Sequence, residues 1–284
     1  MIKEILVHLD GGADDESRIL HADRLAVAHQ AHVRGLYLTI LPDPPESIAH
    51  YSVTRGALAD HLRECQAQCR LTEQALAQRL DALSCRHELC RFDRVAAEVG
   101  GLIADQARMA DLLVVRTPYR VAEPNRASDV VEAALFGSGR GVYVIPEEDP
   151  LRLQPLDTVL IAWKNSRESA NAVAQALPFL RRASRVAIAV VETGADARRA
   201  AEGHRDHSAE NLARYLSHHG VTTEIRRLGK WDNISAGLFN EAELLNAGLI
   251  VAGAYGRSRL REWALGGVTR DILTKTPIPA LLAH

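Results

Sequence analysis

Gly253 and Gly256, followed after a nine-residue gap by Gly266 and Gly267, are the residues of this chain whose type and spacing could do chemistry. They lie between an apolar run, Leu249-Ile250-Val251-Ala252, that reads as a buried strand, and residues 268–275, which read as a helix. Backbone N–H groups at a helix start have no partner inside the helix, and the helix dipole puts partial positive charge there. Glycine adds no Cβ to hold an anion away from those groups. Strand, glycine loop and helix start in this order predict a cradle for a phosphate or carboxylate. Arg257, Arg259 and Arg261 alternate within the gap and add positive charge. Two readings stay open: an anion site, or a solvated basic loop whose glycines serve helix–strand packing.

Other chemistry is sparse. Twelve histidines include no His-Glu-x-x-His, and the chain has no Gly-x-Ser-x-Gly and no Walker-type Gly-Lys-Ser. No catalytic constellation is identified. Cys65 and Cys69 stand four apart on one face of an expected helix, and Cys85, His87 or Cys90 could complete a metal set with them. No close Cys-x-x-Cys pair supports this, and small buried apolar side chains are the other reading. His204 with His207, and His218-His219 before Gly220, read as structural, with Gly220 at a helix C′ position. Asp10-Gly11-Gly12-Ala13-Asp14 reads as a turn and helix start with Asp14 as N-cap.

The elements that must position these residues repeat. Residues 4–10, 32–39, 111–115 and 141–145 read as strands of the first half, with helices over 14–30 and roughly 58–82. The second half restarts with strands over 157–163 and 185–191 and helices over 166–182 and roughly 203–219, and closes with strands over 247–251 and 278–282. Strands alternating with helices predict a parallel sheet covered on both faces. The expected fold is α/β: two repeated doubly wound domains, each a five-stranded parallel sheet with helices on both faces. Pro146-Glu147-Glu148-Asp149-Pro150 reads as the linker, giving domains over 1–150 and 151–284. Residues 41–60, with Pro42, Pro44 and Pro45, read as a surface insert.

With this repeat in place, Gly253, Gly256 and Gly266 match the Gly-x2-Gly-x9-Gly-(Ser/Thr) loop of the universal stress proteins, and the whole chain resembles that family's tandem, two-domain form. The resemblance implies ATP, with Mg²⁺, across the carboxyl ends of the first and fourth strands of the second half. The positions carried over are Ala162, Trp163, Lys164, Val191, Gly253, Gly256, Arg257, Gly266, Gly267 and Val268. It implies a stress-response regulator, and, in members that bind no nucleotide, a tandem scaffold acting through protein interaction. Gly267 stands where the pattern has a hydroxyl residue, and Lys164 where it has an acid; lysine cannot accept from ribose hydroxyls. The first half keeps the acid, Asp10, but its fourth strand runs into Arg116-Thr117-Pro118-Tyr119 without glycine. Ser128-Asp129-Val130 lines up with Gly266-Gly267-Val268, so Asp129 brings a carboxylate to the phosphate position and no ATP is expected there. The Asp10–Asp14 loop also resembles, faintly, that of the ATP pyrophosphatases. The family further implies that the last strands of the two sheets pair into an intramolecular pseudo-dimer; a homodimer of chains is compatible with it.

Composition limits the partners. The 284 residues carry a formal net charge of −2, so no broad basic surface for nucleic acid is expected. No apolar run approaches the roughly 20 residues a membrane span needs. A cytoplasmic protein with reduced cysteines is the expectation.

Overall fold

The computed structural model describes residues 1–41, 55–118, 126–147, 155–191, 206–229, 231–254 and 267–284. Gly256, Arg257, Arg259, Arg261, Gly266, His204 and most of the expected insert lie outside the described residues. The first half runs β1 (Glu4–Leu9), α1 (Asp15–His29), β2 (His32–Leu41), α2 (Arg55–Asp81), β3 (His87–Val95), α3 (Ala96–Arg108), β4 (Leu112–Arg116), α4 (Arg126–Ser138) and β5 (Gly141–Ile145). The second runs β6 (Thr158–Ala162), α5 (Arg167–Leu180), β7 (Arg185–Val191), α6 (Ser208–His218), β8 (Thr223–Leu228), α7 (Ile234–Leu244), β9 (Leu249–Gly253), α8 (Gly267–Lys275) and β10 (Ala280–Ala283).

The ten strands form one sheet in the order β3-β2-β1-β4-β5-β10-β9-β6-β7-β8. Every ladder is parallel except the central one, where β5 and β10 run antiparallel. The pairing of last strands that the resemblance implies is present, and it joins the two five-stranded sheets into one. An end strand buried on both faces leaves one row of N–H and C=O groups without partners, and the matching row of the other half satisfies it. Pro277 and Pro279 stand just before β10, outside the ladder that their missing N–H would interrupt.

Side chains alternate across this sheet, so each strand feeds two cores. Ile5, Val7, Leu9, Val114, Tyr143, Ile161, Val251 and Leu281 face one layer, with α1, α2, α5 and α6 over them. Leu6, Leu113, Val144, Leu160, Ile250 and Leu282 face the other, under α3, α4, α7 and α8. At the seam Leu281 faces Tyr143, which is 1% exposed. The Tyr143 ring stacks on Phe179 of α5, with centroids 6.5 Å apart, so aromatic packing joins the halves above the backbone pairing. Tyr143→Ala is expected to lower stability by about 3–5 kcal/mol in urea unfolding. A loss no larger than that of an exposed-site variant would show that the seam does not hold the halves together.

Candidate functional site

The ladders map one half onto the other. Tyr143 pairs with Val114, which pairs with Val7; Leu281 pairs with Val251, which pairs with Ile161. Because Tyr143 and Leu281 face each other across an antiparallel seam, a local two-fold axis relates Val7 to Ile161 and Val114 to Val251. Matching loop bonds support this register. Thr117 N–H donates to Ile145 at 2.9 Å, and Ala254 N–H donates to Ala283 at 2.8 Å. Counting from these pairs, His8, Asp10, Asp14, Asp15, Arg18 and Arg116 occupy the places of Ala162, Lys164, Glu168, Ser169, Ala172 and Gly253.

In the first half the carboxyl ends of β1 and β4 carry a closed polar network. Arg18 is 4% exposed and sits between two acids: its guanidinium donates to Asp10 at 2.8 Å and also to the fully buried Asp15. It lies 3.2 Å from His8 Nδ1 as well. Burial, reinforced by the Arg18 charge, pushes the His8 pKa down from 6.5 to about 4. Burial works to raise the Asp10 pKa, but the charge and hydrogen bond of Arg18 outweigh it and hold the group below its ordinary value. In Asp15 burial wins over Arg18, and its pKa is raised. Arg116, at the end of β4, donates to Asp14 and to the Glu147 carbonyl. Sequence reasoning expected Asp129 to occupy the phosphate position. Asp129 is exposed in the first turn of α4, and it is Arg116, Arg18 and their acids that close the strand ends.

Asp14 is not the side-chain cap that the sequence predicts. Its carboxylate goes to Arg116, and it makes no side-chain cap bond. Asp15 reaches back instead, accepting from the amides of Gly11 at 2.8 Å and Asp10 at 3.3 Å. Gly12 N–H closes a tight turn on Asp10 Oδ1 at 2.9 Å, and Gly11 sits at φ +82, where a side chain would be strained. The Asp10–Asp14 segment is a self-satisfied turn.

The second mouth has the opposite character. Alanine, alanine and glycine stand where the first half has His8, Arg18 and Arg116. Ala162, Val191 and Val268 pack on the same core face, at the ends of β6 and β7 and the start of α8. Gly267 opens α8 and is exposed; among the described residues no atom lies within 4 Å of where its Cβ would be. Lys164 is exposed, one residue beyond Trp163. Trp163 is half-buried against the opposite core, and its Nε1 donates to Ser208 at 3.0 Å, so the ring is committed to packing there. Gly253 has a packing reason for being glycine. An added Cβ would lie 2.6 Å from the Ser169 backbone nitrogen, because the first turn of α5 rests on it. His284 Nδ1 lies 2.9 Å from the Ala254 carbonyl beside this turn. Glu168 has its pKa lowered, first by its own backbone N–H and then by Ser166 and nearby charge.

The cysteine cluster does not form. Among the described residues no cysteine joins a convergent group of metal-ligating side chains. Burial and Asp23 push the Cys85 thiol up to about 11, which makes it inert. At the other end of the sheet a groove of about 810 Å³ runs between α1 and α5, lined by Lys3, His29, Arg181 and Arg182. Lys3 Nζ donates to the His29 and Gln30 carbonyls at the α1 C-terminus, so this charge complements a helix end.

Comparison with known proteins follows this division. Residues 155–284 match the model of the Universal stress protein family. No curated protein matches the chain. A universal stress protein from Archaeoglobus fulgidus DSM 4304 has a similar structure, with a TM-score of 0.71 and 15% identity over 99% of this chain and 97% of that one. A functionally unknown protein from Pseudomonas aeruginosa PAO1 is similar at a TM-score of 0.60, with 15% identity over 99% and 92%. At this identity the likeness concerns the fold. Among the described residues no helix is long and apolar enough to cross a membrane.

The first-half network makes stability depend on pH. Folded His8 titrates near 4 and unfolded histidine near 6.5, so the unfolded chain binds the extra proton between these values. The contribution is complete above pH 6.5 and is lost as pH falls toward 4. It amounts to about 2–3 kcal/mol. Urea midpoints measured from pH 7 to pH 4.5 should fall less steeply for His8→Gln than for the parent chain; parallel curves would contradict the assignment.

Proposed function

We propose a function on one premise: the chain belongs to the universal stress protein family, by sequence over residues 155–284 and by fold over its whole length. The molecule is a tandem of two doubly wound units, dividing near residue 150, of which the second binds an adenine nucleotide and the first does not. ATP, with Mg²⁺, enters at the carboxyl ends of β6 and β9. Its phosphates meet the amides at the start of α8, and its nucleoside lies near Ala162 and Val191. Gly253, Gly256, Arg257, Gly266, Gly267 and Val268 form the phosphate side, and Trp163 packs behind the site. Occupancy then alters the surface that a partner protein reads, which is the work of a stress-response regulator.

One observation carries this reading. Where the first half has His8, Arg18 and Arg116, the second has Ala162, Ala172 and Gly253, so ionic closure at one mouth is replaced by small side chains at the other. The open space at Gly267 fits a group approaching the α8 amides. Lys164 fits less well at the ribose, having no lone pair to accept from its hydroxyls, and suits a phosphate better. Hydrolysis is no part of the proposal.

A second reading has its own observation. The contact of Gly253 with the α5 backbone explains that glycine without any ligand, which favours a tandem scaffold that works by protein interaction. Melting of the full chain with ATP and Mg²⁺ separates the two. Ligand at about 100 times its Kd adds about 2.7 kcal/mol of stability and raises the melting temperature. Gly267→Asp copies the Asp129 of the first half onto an exposed position and is expected to abolish the rise while leaving the nucleotide-free melt unchanged. No rise in the parent chain at millimolar ATP would leave the scaffold.

A further inference from the structure

The amino ends of the first-half strands hold a second constellation. Glu4 opens β1 and His32 opens β2, and the two are register partners on adjacent parallel strands. Glu88 is the second residue of β3, level with Arg34 on β2 and therefore diagonal to His32. All three side chains leave the sheet on the face that carries Leu6, Leu36 and Phe92. One donor atom from each lies within 4.8 Å of the others, and His32 Nδ1 is 3.1 Å from Glu4 Oε2.

We infer that Glu4, His32 and Glu88 form a binding site for a divalent transition-metal ion, with water completing its coordination. Bonds of about 2.0–2.2 Å to nitrogen and oxygen place neighbouring donors about 3.0–3.4 Å apart, so the Glu4–His32 separation needs no rearrangement. The ion takes the position of the proton now shared between Nδ1 and Oε2, and His32 binds as the neutral imidazole with its proton on Nε2. One imidazole with two carboxylates suits zinc, manganese or iron rather than calcium, which takes an all-oxygen shell.

The surroundings support the arrangement. Arg34 Nε lies 3.3 Å from the other Glu4 oxygen, Oε1, while Oε2 is the oxygen that faces His32. Arg34 is itself held by the Gln106 side chain and carbonyl, each at 3.3 Å. Cys90 lies two residues beyond Glu88 on the same strand face. The two carboxylates and Arg34 leave one net negative charge, and the metal reverses it.

Zinc titrated calorimetrically into the full-length chain tests the site. The parent protein should bind one Zn²⁺ with an affinity that Glu88→Gln and His32→Gln each weaken by about tenfold or more. A His218→Ala/His219→Ala control, changed at another histidine pair, should keep that affinity. Glu88 is exposed, so Glu88→Gln folds like the parent and decides the matter by itself if His32→Gln does not. No binding by the parent up to millimolar zinc, or equal affinity in Glu88→Gln, would overturn the site.

Discussion

Three backbone pairs between β5 and β10, Val142 with Leu282, Tyr143 with Leu281 and Val144 with Ala280, set the geometry of the rest. A strand sandwiched between two helical layers cannot satisfy its outer N–H and C=O groups with water, so the last strand of each half needs another strand beside it. The antiparallel sense of that pairing creates the two-fold relation. It puts α1 and α5 side by side on one face, where Phe179 reaches both Tyr143 and the His29 ring, 5.2 Å away. It also keeps the two sets of strand carboxyl ends apart, as two mouths instead of one.

Equivalent backbones at the two mouths support opposite chemistry. A crevice at the carboxyl ends of parallel strands beside a helix start favours negative charge. The first half answers that preference internally, with Asp10, Asp14 and Asp15 balanced by Arg18 and Arg116. Such a network is costly to disturb, since removing one partner leaves another charge buried. The second half has only alanine and glycine at the three places where the first has its largest side chains, and so leaves the same preference for a ligand to meet. The difference between the two mouths thus lies in a few side chains and not in the fold.

The amino ends of β1, β2 and β3 lie at the other end of these strands from the first-half mouth. Their polar residues face a layer that is otherwise apolar, and Glu4 meets both His32 and Arg34 there. The seam does not require them, and the proposed metal would account for their convergence on one strand face.

Much of this was legible in the residue order because it depends on local periodicity. Apolar runs marked the strands, with Gly141–Ile145 and Arg185–Val191 falling where expected, and Gly220 takes the left-handed conformation, φ +76, expected after α6. The glycine spacing from Gly253 to Gly266 was enough to indicate the family. What the residue order could not give were relations between distant segments. Asp14 read as a cap because caps are local, yet Arg116 claims its carboxylate from 102 residues away and Asp15 takes over the turn. Trp163 stood among the positions the resemblance carried over, but α6 brings Ser208 to its ring nitrogen. Glu4, His32 and Glu88 carry no common motif, being gathered only by strand register. The chain alone determined which segments become strands and helices, since that follows from patterns a few residues long. Only the tertiary structure decided which charges meet, because electrostatic and hydrogen-bond partners are set by distance in space.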